Sequence, residues 1–123
     1  MLTQDLGTHL QANGYGTIGA SLFLYTMPTS PVACRSIFPD GGPKFAVEVI
    51  SRPHVSVIIR DTVITSLMPM ANSITALLDK PFTSMSRCQG RFTADNYPVP
   101  YRDENNHWQI SLNLSFVGIV KGG

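Results

Sequence analysis

Charge is scarce in this sequence. Asp, Glu, Lys and Arg together make up 14% of the chain, against about 25% in an average soluble domain. Nine Lys and Arg stand against eight Asp and Glu, a formal net charge of +1. A chain this close to neutral has no electrostatic reason to hold nucleic acid or an anionic membrane. It also has little repulsion to keep copies of itself apart, which favours association. Long apolar runs are missing too: stretches such as residues 117–120 fall far short of the ~20 residues that span a bilayer. The opening MLTQDLGTHL shows no basic stretch followed by an apolar run, so a cytosolic product is expected. Cysteine is limited to Cys34 and Cys88. Without a secretion signal these are expected to be reduced, partly buried thiols rather than a disulfide.

What is present suits one folded domain. The chain has 123 residues, 43% of them hydrophobic, enough for a single core over residues 1–123 and too little for two. Leu2, Leu6 and Leu10 recur every four residues and predict a helix over residues 3–13, capped by Thr3 and ended by Asn13-Gly14. Residues 21–26 (SLFLYT) and 32–38 (VACRSIF) read as strands. The MPTSP segment between them cannot continue a ladder, because both of its prolines lack an N–H, and the pair is expected to form a hairpin. Residues 39–44 (PDGGPK) read as a loop, and residues 45–50 as strand or loop edge.

Residues 54–60 (HVSVIIR) form the clearest strand, with Val55, Val57 and Ile59 on one face. Val63, Leu67, Ala71, Ile74 and Leu78 then follow the helical period. Pro69 leaves two solutions: a kinked helix from Thr62, or a helix capped by Ser66 that takes Pro69 into its first turn. A short strand is expected around residues 86–89, ending before Gly90, and a Pro-containing loop over residues 92–102. DENN (residues 103–106) signals a tight turn, because Asn tolerates positive φ. Residues 108–116 (WQISLNLSF) alternate strictly, with Trp108, Ile110, Leu112, Leu114 and Phe116 on one side. The order predicts an α+β domain, an antiparallel or mixed sheet of about five strands covered by two helices.

Chemistry-bearing residues do not gather into a recognisable pattern. His9, His54, His107, Cys34 and Cys88 lack metal-ligand spacing, so no metal is expected. No G-x-S-x-G occurs. Asp103 and Glu104 sit on a turn, where carboxylates are usually only solvated, whereas acid–base work needs fixed ones. The run Asp40-Gly41-Gly42-Pro43-Lys44 lacks the Walker pattern and reads as a connecting loop. Arg35, Arg52, Arg60, Arg87, Arg91 and Arg102 are dispersed and read as surface or subunit-contact charges. Met68 and Met70 flank Pro69 and read as core filler. Asn113-Leu114-Ser115 matches a glycosylation acceptor but falls inside a strand. Neither a catalytic residue nor a cofactor is expected.

The order of these pieces resembles the small tail-terminator proteins of long-tailed bacteriophages, also described as minor capsid or head–tail joining proteins. The likeness runs through LTQDLGTHLQANGYG, SLFLYTMPTSPVACRSIF, RPHVSVIIRD, ITALLD and RDENNHWQISLNLSF, nearly the whole chain. Pro69 and the long residue 92–101 loop depart from a regular pattern. The resemblance implies a non-enzymatic virion protein in host cytoplasm during assembly. It would form a homo-oligomeric ring, usually a hexamer, at the head-proximal end of the tail tube. Its partners would be the tail tube protein and a head connector or stopper protein, with no membrane and no sequence-specific nucleic acid binding. Contact loops are expected at Pro28 and Pro31, and at Pro39, Asp40, Gly41, Gly42 and Lys44. Two other readings stand beside it: a connector stopper, and a ligand-binding or enzymatic domain whose site converges from residues such as Cys88 and His54.

Overall fold

The computed structural model describes residues 2–29, 32–39, 54–80, 83–85, 88–95, 98–104 and 106–120. The first element is helix α1 (Leu2–Ala12), then strands β1 (Leu22–Leu24), β2 (Cys34–Pro39) and β3 (His54–Asp61). A 3-10 turn (Ile64–Ser66) leads into helix α2 (Leu67–Leu78), and strands β4 (Thr83–Ser84), β5 (Cys88–Ala94), β6 (Tyr101–Arg102) and β7 (Trp108–Val120) follow. This is the expected α+β domain with two helices, but among the described residues the sheet has seven strands rather than about five. Their order is β1-β2-β3-β7-β5-β4, with β6 also paired to β7. Among the described residues no helix is long and apolar enough to cross a membrane.

Strand β7 is the centre. It pairs antiparallel with β3 from Asp61↔Trp108 to His54↔Ser115. On its other edge it pairs antiparallel with β6, and further along with β5. The strict alternation of its first half does what a half-buried strand should. Ile110, Leu112, Leu114 and Phe116 are buried on one face, beside Val55, Val57 and Ile59 of β3 and Ile37 of β2. Helix α2 closes this face with Leu67, Ala71, Ile74 and Leu78, and α1 adds Leu2, Leu6 and Leu10. Each such side chain contributes roughly 1.5–3 kcal/mol by leaving water. Phe92 and Phe116, on paired strands, meet with ring centroids 4.9 Å apart.

Both helices lie close to their predicted places. α1 starts one residue earlier than expected, so Thr3 is buried in its first turn rather than capping it. Gly14 at φ +84 ends it as anticipated. Of the two solutions for Pro69 the second holds: Ser66 is the N-cap and Pro69 falls in the first turn of α2, where no intrahelical bond needs its missing N–H. The Ser66 side chain makes no cap hydrogen bond, because its backbone is already helical at the end of the 3-10 turn.

Three expectations are corrected. First, β1 and β2 pair parallel, not as a hairpin. Tyr25, at φ 66, turns the chain directly after β1, and β2 starts at the same end of the sheet as β1, with Leu22 opposite Arg35. Second, Pro39 is the last residue of β2, opposite Val55, and not the first of a loop. Third, the strand expected to stop at Gly90 runs through it to Ala94, and residues 92–102 hold strand at both ends. Gly90 lies opposite Gly118 on β7. A Cβ on Gly118 would sit 2.2 Å from the Gln89 carbonyl oxygen, and one on Gly90 2.3 Å from that of Val117. The glycines permit a close backbone approach; they do not end the strand.

Substituting Gly118→Ala therefore forces the β5–β7 ribbon apart. Urea unfolding should show a loss of about 1–3 kcal/mol, the range of overpacked cores. An unchanged midpoint would mean that the ribbon does not need this approach.

Candidate functional site

His9, His54 and Cys34 lie on three different elements, α1, β3 and β2. Among the described residues no group of three or more His, Cys, Asp or Glu could hold a metal ion. His9 lies in the last turn of α1, where burial and the nearby Lys80 charge push its pKa below the usual histidine value. His54 opens β3 opposite Ser115, whereas Cys88 opens β5 opposite Val120. Cys34 is a free thiol, buried on β2. Its pKa is pushed up by burial, against the opposing pull of the Arg60 and Arg35 charges. A thiol so held is neutral near pH 7 and is no nucleophile.

The turn after β6 differs from expectation in one respect. Asn106 takes the predicted positive φ of 66. Asp103, however, is not merely solvated. Its Oδ1 accepts from the His107 backbone N–H at 2.8 Å and its Oδ2 from Gln109 Nε2 at 3.2 Å, while His107 Nδ1 stands 3.8 Å from Oδ2. These bonds commit the carboxylate to the turn. Glu104 is exposed beside it. Arg102 stacks over Trp108, 4.7 Å from the ring centroid, and donates to Asn106 Oδ1 at 2.8 Å.

Arg60 also departs from its expected role as a surface charge. It is 5% exposed. Its Nε donates to the Val32 carbonyl at 2.8 Å, and its Nη2 donates to the Pro28 carbonyl. The guanidinium thus ties the 25–33 connection to the sheet with charge-assisted bonds. Met27 lies against the same surface, where Cys34 Sγ and Ser36 Oγ approach its Sδ at 3.5 and 3.4 Å. Pro28 is half-buried and Pro39 exposed. Of the other expected contact residues, Pro31, Asp40, Gly41, Gly42 and Lys44 lie outside the described residues.

On the face away from the helices, Ile58, Ser56, Ser111 and Asn113 are all half-buried, and Ser56 Oγ donates to Asn113 Oδ1 at 2.9 Å. These four side chains are uncharged, as interface centres largely are. The exposed large apolar side chains among the described residues are spread over the molecule: Ile18 and Tyr25 on either side of β1, Val63 and Ile64 after β3, Val99 and Tyr101 at β6, and Val117 on β7. Residue composition had hinted at association; the placement of these side chains depends on register and was not readable from it.

A family model described as "Bacteriophage tail terminator protein" matches residues 9–118, nearly the whole chain. The chain belongs to that bacteriophage tail terminator family, and is thereby a structural component of phage tails. A search of curated proteins found no match.

The lowered pKa of His9 gives stability a pH dependence of definite sign. The unfolded chain binds a proton at His9 near the ordinary value of 6.5, and the folded chain only below it. The stabilising contribution is therefore present above pH 6.5 and is lost as pH falls through the folded pKa. In urea titrations at pH 7.5 and 5.5, His9→Gln should lose less stability on acidification than the unsubstituted chain. An equal loss would mean that His9 carries none of the dependence.

Proposed function

We propose that this chain ends the growth of a phage tail tube. Copies form a ring, usually a hexamer in such proteins, at the head-proximal end of the tube. The ring covers the last tube subunits and presents a surface to the head connector or stopper. The observation that carries this reading is the family match over residues 9–118, which takes in six of the seven described strands and all but the last two residues of β7. The uncharged residues on the open sheet face and the exposed apolar side chains support it, since a ring subunit must bury part of its own surface against neighbours. No described group of residues calls for a catalytic role in addition. The protein is assembled into the virion from the host cytoplasm. Pro39, Asp40, Gly41, Gly42 and Lys44, together with Pro28 and Pro31, would meet the neighbouring rings.

Removing the gene from the phage tests the terminating role. Infected cells should accumulate headless tails whose tubes exceed normal length, and supplying the chain in trans should restore length and head joining. Tails of normal length already joined to heads would contradict it. A chain lacking residues 41–44 should still stop the tube but lower the yield of joined particles at least several-fold if that loop meets the head side.

A further inference from the structure

Two side chains of β2 are buried where their neighbours are not. Cys34 and Ser36 lie opposite Arg60 and Ile58 of β3, on the face away from the helices. Elsewhere on that face Ser56, Ile58, Ser111 and Asn113 are half-buried, yet Cys34 is 1% and Ser36 0% exposed. What covers them is the chain that follows β1. Met27 Sδ lies 3.5 Å from Cys34 Sγ and 3.4 Å from Ser36 Oγ, so residues 25–29 cross over this part of the sheet. The burial that raises the pKa of the Cys34 thiol agrees with such a cover.

Residues 25–29 belong to no strand, and other contacts hold them down. Arg60 Nη2 donates to the Pro28 carbonyl and to Cys34 Sγ at 3.5 Å, and Arg60 Nε donates to the Val32 carbonyl at 2.8 Å. One guanidinium on β3 thus grips the segment, the approach to β2 and the thiol beneath the segment. At the other end, the Tyr25 N–H donates to the Ile37 carbonyl at 2.9 Å, and Tyr25 stands at φ 66. A non-glycine residue is strained in that left-handed region. A segment fixed by a strained pivot and a side-chain grip opens at lower free energy than the ladder under it.

We propose that residues 25–29 form a strap, pivoted at Tyr25 and latched by Arg60, that lifts while the sheet beneath stays folded. Lifting relieves the left-handed Tyr25 and bares Cys34 and Ser36. These join the uncharged row of Ser56, Ile58, Ser111 and Asn113, so the strap sets how much of this face a neighbouring protein can reach. The device stands on contacts within one chain and does not depend on the tail-terminating role.

Thiol labelling of the free chain tests it. With Cys88→Ala in place Cys34 is the sole thiol, and its exchange with dithiodipyridine is followed by the thiopyridone released. The rate is measured across sub-denaturing urea, beside global unfolding of the same chain. Strap opening exposes little surface, so labelling should depend on urea less than about half as steeply as unfolding does. Arg60→Lys keeps the charge but cannot grip both carbonyls and the thiol, and should label roughly tenfold faster. Tyr25→Asn suits the left-handed region better and should label roughly threefold more slowly, because its closed form is less strained. A Tyr25 that mattered only for packing would give faster labelling on substitution. The full urea dependence of global unfolding would overturn the proposal, as would a Tyr25→Asn chain that labels as fast as the unsubstituted one or faster. The Tyr25 comparison holds even if Arg60→Lys weakens the whole fold.

Discussion

The rest of the molecule depends on the pairing of β7 with β3. The two strands share an unbroken antiparallel register from Asp61↔Trp108 to His54↔Ser115, and between them they bury Val55, Val57, Ile59, Ile110, Leu112 and Leu114 on one face. Since side chains alternate strictly, a slip of one residue would turn that whole set outward and bring Ser56, Ser111 and Asn113 into the core. Helix α2 can dock only where this apolar face is presented. β2 takes its register from β3, and β5 and β6 take theirs from the other edge of β7.

β5 and β6 run along β7 as one interrupted strand: Ala94 faces Leu114 and Tyr101 faces Gln109. Between these two pairings β5 and β6 leave the ladder, and Pro98 and Pro100 cannot donate to it in any case. Val99, between them, is 64% exposed. The Gly90–Gly118 approach lets the far part of β7 continue past β3 with only β5 beside it among the described residues. A long central strand therefore runs beyond its β3 partner, from Phe116 to Val120.

Local periodicity made much of this legible. The alternation of residues 108–116, the Val55-Val57-Ile59 face and the spacing of Leu67, Ala71, Ile74 and Leu78 name buried residues, with two exceptions. Trp108 is half-buried, and Val63, which the same helical period included, lies before the helix and is 50% exposed. Pro69 was readable as a first-turn residue because the physics of a missing N–H leaves few places for it. Features set by distant partners were not legible. The parallel pairing of β1 depends on a left-handed Tyr25, and nothing in SLFLYT announces it. Gly90 looks like punctuation until Gly118 is seen opposite. Arg60 reads as a surface charge because the carbonyls that hold it, Val32 and Pro28, lie far away along the chain. The family was legible only from the order of the elements as a whole, which no single motif carries.

Hydrogen exchange tests the central role of the β3–β7 pair most directly. In the free chain under native conditions, the amides of residues 110–114 and 55–59 should be the slowest to exchange, opening only with global unfolding. Those of α1 should exchange faster, since it packs mainly against the short β1 and β2. If α1 proved the most protected segment while residues 110–114 exchanged through local opening, β7 would not be the element on which the structure depends.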